Sequence, residues 1–361
     1  MKHKFPYKWL LKDANFTKDK GTVFSCFACG GGSTMGYKLA GFDVIGCNEI
    51  DPRMNKVYIE NHHPKYNFLE GIQTFKLRKD LPQELYNLDI LDGSPPCSSF
   101  STAGNRDDDW GKEKKFREGQ VSQVLDTLFF DFIDLAKELQ PKVVIAENVK
   151  GLLLGDAKVY VRRIYEEFDK AGYVVCHTLC DAQTMGIPQH RERVFFTAVR
   201  KDLFKYIPQT PTLFDAVPKI DLSFNEKKIP FKKVYIPNVD DRPASHGKMF
   251  EYWSKRIESD KLFEDTVFRE YGVKKCFTNV YVKMDNVCNT LTSNSDCLYL
   301  YDEYRKPNKQ ETCCISSFPQ DYNFLEEPYY YICGMSVPPV MMAQVATRVY
   351  EQWLKPINEN T

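Results

Sequence analysis

The stretch TVFSCFACGGGS, residues 22–33, decides the fold of this chain. Residues 22–27 are mostly apolar and predict a β-strand, and three glycines follow at 30–32. A helical pattern then runs over 33–40. A strand that leads through a glycine turn into a helix is typical of a parallel α/β sheet, and such a turn lets the backbone approach a ligand closely.

Strand and helix patterns alternate from this stretch to about residue 200. Further strands are predicted at 42–48, 88–92, 143–146, 173–180 and 194–199, and helices at 52–62, 121–139 and 159–171. The strand at 143–146 is apolar at every position, as expected when helices cover both faces of a sheet. The alternation predicts the α/β class, with a doubly wound and mostly parallel sheet.

The regular alternation of strand and helix patterns ends at about residue 200. Six prolines between 208 and 243 break the chain into short pieces, whereas a helical pattern returns near the end. We therefore predict a first domain made of residues 1–200 and 334–361, and a second, smaller and irregular domain over 201–333.

Composition limits the classes of function. The chain carries 49 Lys and Arg and 49 Asp and Glu, so only a local basic surface could favour a nucleic-acid partner. No signal-peptide core and no 18-residue apolar run occurs, so we expect a cytoplasmic protein without a membrane segment. The twelve cysteines should be reduced there. The lone CxxC at 26–29 lacks the second pair of a zinc site, so no metal is expected.

Candidate site residues follow the predicted strands. Glu49 ends the second strand, where a carboxylate can hold ribose hydroxyls. Cys97 follows the strand at 88–92 after two prolines, which restrict the backbone and hold the thiol at a defined angle. Glu147 follows the strand at 143–146. Because the carboxyl ends of parallel strands meet at one edge of a sheet, these groups should share a ligand site.

Two arginines precede the last predicted strand. Arg191 and Arg193 belong to the segment Gln189-His190-Arg191-Glu192-Arg193. In an extended backbone, residues two apart point to the same face. The segment would therefore present two rigid guanidinium groups to one ligand.

Taken in order, these motifs resemble the DNA (cytosine-5) methyltransferase family, in its bacterial or phage type. The resemblance rests on Pro95-Pro96-Cys97, Glu147-Asn148-Val149, Gln189-x-Arg191-x-Arg193, Asn289-Thr290-Leu291-Thr292, Phe318-Pro319 and Gly334-x-Ser336-Val337-Pro338. The glycine turn before Glu49 fits as well, and the similarity covers nearly the whole chain except about 201–283. It implies a Rossmann-like methyltransferase domain, S-adenosylmethionine as the cofactor, and a cytosine flipped out of double-stranded DNA.

The resemblance also implies a role for each reactive residue. Cys97 would add to carbon 6 of cytosine as a thiolate, which the positive charge of Arg191 would favour. Glu147 would hydrogen-bond ring nitrogen 3 and the amino group, and Arg193 the carbonyl oxygen. The implied cofactor contacts are Phe27, Cys29, Gly31, Gly32, Glu49, Ile50, Ile72, Ser94, Pro95, Ser336 and Val337. The implied substrate contacts are Pro96, Ser98, Ser99, Asn148, Val149, Gln189 and Thr290.

Further expectations follow from the same resemblance. The polar segment over about 98–117 would close over the flipped base. Residues 201–283 would form the target-recognition region, and they contain 16 Lys and Arg against 12 Asp and Glu, a modest positive excess. A cognate restriction endonuclease would be the partner of such an enzyme, and a monomer is expected.

Two alternatives stay open. The triplet Cys276-Phe277-Thr278 also occurs in the branch of the family that methylates cytosine-5 in tRNA. The other alternative is a nucleic-acid-binding homologue with weakened catalysis, and it is motivated by the departures from the family pattern at Gly71 and Met335. A further departure, Cys29, also concerns cofactor binding.

Overall fold

The computed structural model describes residues 3–96, 127–155, 157–211, 216–237, 247–294 and 297–361. Between 97 and 126 it describes only the backbone of one antiparallel pair, Glu113–Lys114 with Gln123–Val124. Cys97, Ser98 and Ser99 lie outside the described residues, and so does the predicted lid apart from that pair.

A seven-stranded sheet forms the centre of the larger of two compact units. Its strands are β1 (Thr22–Cys26), β2 (Asp43–Glu49), β3 (Tyr66–Leu69), β4 (Ile90–Gly93), β5 (Val143–Val149), β6 (Tyr173–Asp181) and β7 (Glu192–Arg200). They lie in the order β3-β2-β1-β4-β5-β7-β6. The first five strands in this order run parallel to one another, and β7 runs antiparallel to β5. The predicted α/β class with a mostly parallel sheet is confirmed.

Helices of the larger unit bury their apolar faces. They are α1 (Gly32–Ala40), α2 (Pro52–His62), α3 (Ile72–Phe75), α4 (Leu128–Leu139) and α5 (Ala157–Lys170). In α4, Phe129, Phe132 and Leu135 are at most 1% exposed and share one core with Phe24 of β1 and Val144 of β5. Burying an apolar side chain of this size contributes about 1.5–3 kcal/mol. The helix was predicted to begin at 121, which lies outside the described residues, but Gln123–Val124 pairs as a strand, so the predicted start was too early.

The smaller unit comprises Met1–Ala14, Asp181–Arg191 and Phe224–Val340. Its helices and strands are short, as the prolines led us to expect. They include α6 (Lys248–Ser254), α7 (Phe263–Tyr271), α8 (Lys309–Ile315), α9 (Tyr329–Met335) and the parallel strands Val280–Val282 and Leu298–Leu300. The chain continues through α10 (Pro339–Val349), a π-helical turn and α11 (Lys355–Asn360). From Met341 onward it belongs to the larger unit.

The bounds of the two units differ from those of the predicted domains. In the smaller unit, the indole of Trp9 donates to the carbonyl of Ser317 at 3.0 Å, which ties the amino-terminal segment to this unit. In the larger unit, the indole of Trp353 donates to the carbonyl of Lys219 at 2.9 Å, which ties part of the proline-rich stretch to the last helices. Neither bond joins residues that are close in sequence, so no local pattern could have predicted it. None of the described helices has the length and apolarity needed to cross a membrane.

A buried ion pair organises the smaller unit. The guanidinium of Arg305 donates to both carboxylate oxygens of Glu311, at 2.7 and 2.9 Å. The same carboxylate accepts from the backbone amides of Ile236 at 2.8 Å and Asn308 at 2.9 Å. Glu311 is fully buried. These donors therefore replace the water that would otherwise solvate its charge.

The variant Glu311→Ala should destabilise the protein by about 3–5 kcal/mol, because it leaves the buried Arg305 without its main partner. Glu303→Ala is the matched control, since Glu303 binds the same guanidinium at 2.7 Å from a more exposed position. It should cost about 1 kcal/mol or less. Urea unfolding followed by circular dichroism measures both losses, and equal losses would contradict the dependence on burial.

Candidate active site

The glycine turn after β1 has a strained backbone. Phe27, Cys29 and Gly31 have φ angles of +54°, +48° and +86°, in the left-handed region. For the two residues with a Cβ this region costs on the order of 1–2 kcal/mol each, and such strain is common at ligand sites. Gly31 caps the amino end of α1 and Gly32 is its first residue. The predicted cofactor turn therefore lies at a helix end that favours polar or anionic groups.

Glu49, the last residue of β2, fixes this turn. One carboxylate oxygen accepts from the backbone amide of Cys29 at 2.6 Å, and the other accepts from that of Asp51 at 2.8 Å. Burial raises the pKa of Glu49, and the two amides oppose that rise because they stabilise the charged form. The backbone amide of Ile50 is a third donor to this carboxylate. A carboxylate has about four acceptor sites, so Glu49 can still accept a hydrogen bond from a ribose hydroxyl.

Two isoleucines provide apolar surface in the segments that follow β2 and β3. Ile50 comes directly after Glu49 and is half-buried, and Ile72 begins α3 and is 2% exposed. A Cβ added at Gly71 would lie 3.4 Å from Cδ1 of Ile50, so the two segments are neighbours. An apolar surface beside the carboxylate that was predicted to hold ribose hydroxyls would suit a purine base.

The CxxC cysteines lie in different surroundings. Cys26 is buried at the end of β1, where burial raises its pKa well above the usual range. Cys29 lies in the strained turn. Across the described ranges, no group of three or more His, Cys, Asp or Glu side chains could hold a metal ion.

The segment that leads to Cys97 is anchored to the neighbouring strand. Ser94, Pro95 and Pro96 follow β4, and Pro95 is buried. The side-chain amide of Asn148, near the end of β5, donates to the carbonyl of Pro95 at 3.1 Å. Because Pro95 precedes Cys97 by two residues, this bond fixes the backbone just before the thiol.

Glu147 and Arg193 form an ion pair at the same end of β5. Arg193 is the partner of Val149 in the antiparallel register of β5 and β7. Its Nε atom lies 2.9 Å from Oε1 of Glu147, with the two side chains 15% and 10% exposed. Burial lowers the pKa of Arg193, and the charge of Glu147 opposes that shift. A hydrogen-bond donor and an acceptor thus lie side by side, one strand away from the segment that leads to Cys97.

Arg191 has different partners from those predicted. β7 begins only at Glu192, so strand alternation does not extend to Arg191. Its guanidinium donates within the smaller unit to the carbonyls of Leu291 at 2.8 Å, Gly334 at 2.9 Å and Ser336 at 3.1 Å. The side chain is 2% exposed. Arg191 therefore joins the segment at Leu291 to the segment at Gly334 and Ser336, both of which lie 100 or more residues away from it in sequence.

Gln189 and Thr290, two of the implied substrate contacts, are joined within the same unit. The side-chain amide of Gln189 donates to the carbonyl of Ile315 at 3.1 Å, and its oxygen accepts from the amide of Leu291 at 3.1 Å. The hydroxyl of Thr290 donates to the carbonyl of His190 at 2.6 Å. These bonds give both side chains a structural role in holding the motifs together.

Ser336 and Val337 lie next to this network. Val337 is 4% exposed, and the buried Oγ atom of Ser336 has no hydrogen-bond partner among the described residues. A buried hydroxyl without a partner is costly, and it fits a side chain that hydrogen-bonds a ligand.

The variant Gly334→Ala should destabilise the protein by roughly 1–3 kcal/mol or more. An added Cβ would lie 2.1 Å from the carbonyl oxygen of Thr292, and backbone atoms cannot move aside as a flexible side chain does. Thermal unfolding measures the loss. Met335→Ala is the control, because Met335 is 40% exposed and its truncation should stay within about 0.5 kcal/mol. A Gly334→Ala protein as stable as the wild type would contradict this packing.

Sequence reasoning missed one residue at the centre of the larger unit. Asp92 is 1% exposed and accepts hydrogen bonds from the hydroxyls of Ser25, Ser33 and Tyr37. The available signal was a carboxylate inside an apolar strand, directly before the glycine that ends it.

Comparisons with known proteins agree with this geometry. Residues 21–351 match the model of a family described as C-5 cytosine-specific DNA methylase. The Type II methyltransferase M.FnuDI of Fusobacterium nucleatum is 36% identical over 184 residues, which are 50% of this chain and 47% of that protein. M.Sau96I of Staphylococcus aureus, also a Type II methyltransferase, is 26% identical over 341 residues, which are 86% of this chain and 71% of that protein. This chain spans about half the length of the first curated relatives it matches.

Solved structures share the fold. The Dnmt2 methyltransferase of S. pombe has a TM-score of 0.57 at 16% identity, covering 94% of this chain and 99% of that one. A DNMT2 variant of Spodoptera frugiperda has a TM-score of 0.60 at 17% identity, covering 93% and 99%. Because the family model spans residues 21–351 of the 361, the chain belongs to the C-5 cytosine-specific DNA methylase family.

Proposed function

We propose that this protein methylates carbon 5 of a flipped-out cytosine in double-stranded DNA, with S-adenosylmethionine as the methyl donor. The observation that carries the proposal is the buried Glu147–Arg193 pair, one strand away from the segment that Asn148 anchors before Cys97. Cytosine presents a carbonyl oxygen, ring nitrogen 3 and an amino group along one edge. A guanidinium beside a carboxyl group is complementary to that edge. Membership of the family supports the same chemistry.

The nucleophile in this proposal is the Cys97 thiolate. Carbon 5 of cytosine is a poor nucleophile while the ring is aromatic. A bond from sulfur to carbon 6 removes the aromaticity and leaves an enamine, whose carbon 5 can attack a methyl group. Elimination then removes the proton from carbon 5, breaks the bond between sulfur and carbon 6, and restores both the ring and the free Cys97 thiolate. A free thiol has a pKa of about 8.5, and nearby positive charge favours the thiolate. Arg191 remains the proposed source of that charge, since hydrogen bonds to carbonyls do not neutralise a guanidinium.

Glu147 and Arg193 stabilise the adduct. Addition at carbon 6 increases the negative charge on nitrogen 3, so a proton held by the Glu147 carboxyl lowers the energy of the adduct. Arg193 has further donors for the carbonyl oxygen of the ring. Both side chains are fixed on paired strands before any substrate binds, so little reorganisation is needed.

The residues of the glycine turn fit S-adenosylmethionine. The strained turn at Phe27, Cys29, Gly31 and Gly32 would cradle it, and Glu49 has acceptor sites left for its ribose. The apolar Ile50 and Ile72, the segment at Ser94 and Pro95, and the Ser336 hydroxyl with Val337 are the other proposed contacts. When bound, the cofactor supplies an electrophilic methyl group.

The remaining proposals concern the partners. Residues 201–283 are the proposed target-recognition region, and Pro96, Ser98, Ser99, Asn148, Val149, Gln189 and Thr290 the proposed contacts around the flipped base. The names of the curated relatives, which are Type II methyltransferases, support a modification enzyme with a cognate restriction endonuclease. We propose that it acts as a monomer in the cytoplasm.

Bisulfite sequencing of DNA and RNA from cells that express the protein tests this function. We expect 5-methylcytosine at one position of a fixed DNA sequence, and none in cells that express Cys97→Ser. Methylation confined to tRNA would support the tRNA branch instead. Unmodified DNA and RNA would contradict the proposal, provided that the protein is folded and abundant.

A further inference from the structure

Asp92 lies on β4, between β1, which leads into the cofactor turn, and β5, which carries Glu147. In the sheet register it is the partner of Ser25 on β1 and of Ile145 on β5. Paired residues of neighbouring strands point to the same face, and so do residues two apart on one strand. Asp92 therefore shares a face with Glu147, which follows Ile145 by two residues. Its strand continues through Ser94 toward Cys97.

The carboxylate of Asp92 is bound by hydroxyl groups from both sides of the cofactor turn. Ser25, on β1 before the turn, and Ser33, on α1 after it, each donate to Oδ2 at 2.7 Å. Tyr37, one helical turn further along α1, donates to Oδ1 at 3.1 Å. These three donors are buried with the carboxylate. One charged group thus links the entry and the exit of the turn.

We propose that Asp92 is a positioning residue, which fixes the cofactor turn relative to the strand that carries the nucleophile. The role rests on the proposed function and deepens it. None of the family motifs quoted above includes Asp92, and nothing in the reaction requires it to contact substrate. An ionised carboxylate forms stronger hydrogen bonds with hydroxyls than a neutral one, so the turn should be held most firmly when Asp92 is charged.

The charge of Asp92 changes within a pH range in which cofactor binding can be measured. Burial raises its pKa to about 6, the charge of Glu147 adds to the rise, and the three hydroxyls oppose it. The titratable groups that face it are Cys26 of β1, Tyr37 of α1 and Glu147 of β5. Burial and Asp92 raise the pKa of both Cys26 and Tyr37 well above the usual range, so these two stay neutral near pH 7.

Because the pKa of Asp92 is raised, loss of its charge should affect cofactor affinity and protein stability differently. A carboxyl group whose pKa is raised on folding adds stability at low pH, and that stability is lost as the pH rises through about 6. Removing the charge should therefore not weaken the fold at pH 7.5. Cofactor affinity is the property that a neutral side chain at this position should reduce.

Calorimetry of S-adenosylmethionine binding to the full chain, without DNA, tests the role. Asp92→Asn keeps the shape and removes the charge, and we expect its Kd at pH 7.5 to be about tenfold above that of the wild type. At pH 5.0, where Asp92 of the wild type is protonated, the difference should shrink to about twofold. Groups that titrate in both proteins, on the cofactor or at Glu49, cancel in this comparison.

The matched control is Asp89→Asn. Asp89 precedes the same strand and also bridges its neighbours, since it accepts from the amide of Thr22 and from Lys142, both at 2.8 Å. It lies at the opposite end of the strand from the cofactor turn. Its variant should bind S-adenosylmethionine within twofold of the wild type at both pH values.

Two results would overturn the role of Asp92. One is an Asp92→Asn protein that binds the cofactor as tightly as the wild type at pH 7.5, and the other is an equal loss in Asp89→Asn. If Asp92→Asn does not fold, Ser25→Ala is the substitute variant, because it removes one hydrogen-bond donor to Asp92 and should raise the Kd for the cofactor about threefold. An unchanged Kd in Ser25→Ala would also overturn the role. A wild type that binds no S-adenosylmethionine at all would overturn the proposed function together with this role.

Discussion

Replacement of Cys97 by serine is expected to reduce methyl transfer by at least about a thousandfold and to leave cofactor binding within twofold of the wild type. A hydroxyl group is far less acidic than a thiol, so it cannot add to carbon 6 at neutral pH. Transfer of tritiated methyl groups to duplex DNA measures the first property, and calorimetry with S-adenosylmethionine measures the second.

Cys176→Ser is the control for this prediction. Cys176 lies on β6 of the same unit, with its sulfur 3.2 Å from the hydroxyl of Thr197, and serine can keep that hydrogen bond. We expect full activity from the control. Methyl transfer by Cys97→Ser at even a tenth of the wild-type rate would contradict the assignment of the nucleophile.

The second large effect is expected for Glu147→Gln, which should lower kcat by roughly 10²–10⁴-fold. Glutamine keeps the shape of the side chain, but it can neither hold the proton that nitrogen 3 needs nor neutralise Arg193. The KM for DNA should change much less, because the proton is needed mainly as charge develops on the ring. Single-turnover measurements at saturating DNA report the chemical step directly.

Glu192→Gln is the matched control for Glu147→Gln. Glu192 neighbours Arg193 in the chain, but its carboxylate binds Lys150 at 2.8 Å in a more exposed position. Its variant should retain kcat within about twofold, as expected for a partly exposed ion pair. Equal losses in both variants would show that general electrostatics, and not a specific acid, explains the effect.

The sequence predicted the larger unit well because its signals are local. The apolar run at 143–146 predicts a buried strand from its own residues alone, and the glycines at 30–32 predict a tight turn in the same way. β5 and the turn before α1 lie where they were expected. Strand order then brought Glu147 next to the segment that leads to Cys97. Motif order grouped Glu147 with Arg193, and the structure pairs them at 2.9 Å; the roles of the reactive residues stay predictions.

Long-range contacts account for what the sequence did not reveal. The guanidinium of Arg191 donates to carbonyls that lie 100 or more residues away in sequence. The spacing between Arg191 and Arg193 therefore could not predict these partners. Asp92 carried little signal for the same reason, since its importance arises only when Ser25 and Ser33 are brought to it by the sheet and by α1. Contacts between distant segments also decided where the two units begin and end.

Trapping on modified DNA tests the central claim, a covalent bond between Cys97 and the target cytosine, most directly. Duplex DNA with 5-fluorocytosine in place of cytosine is incubated with the protein and S-adenosylmethionine and then run on a denaturing gel. Fluorine at carbon 5 blocks the final elimination, so we predict a covalent protein–DNA complex that requires the cofactor and is absent with Cys97→Ser. A wild-type protein that methylates ordinary cytosine under the same conditions, yet leaves no covalent complex on the fluorinated DNA, would contradict it.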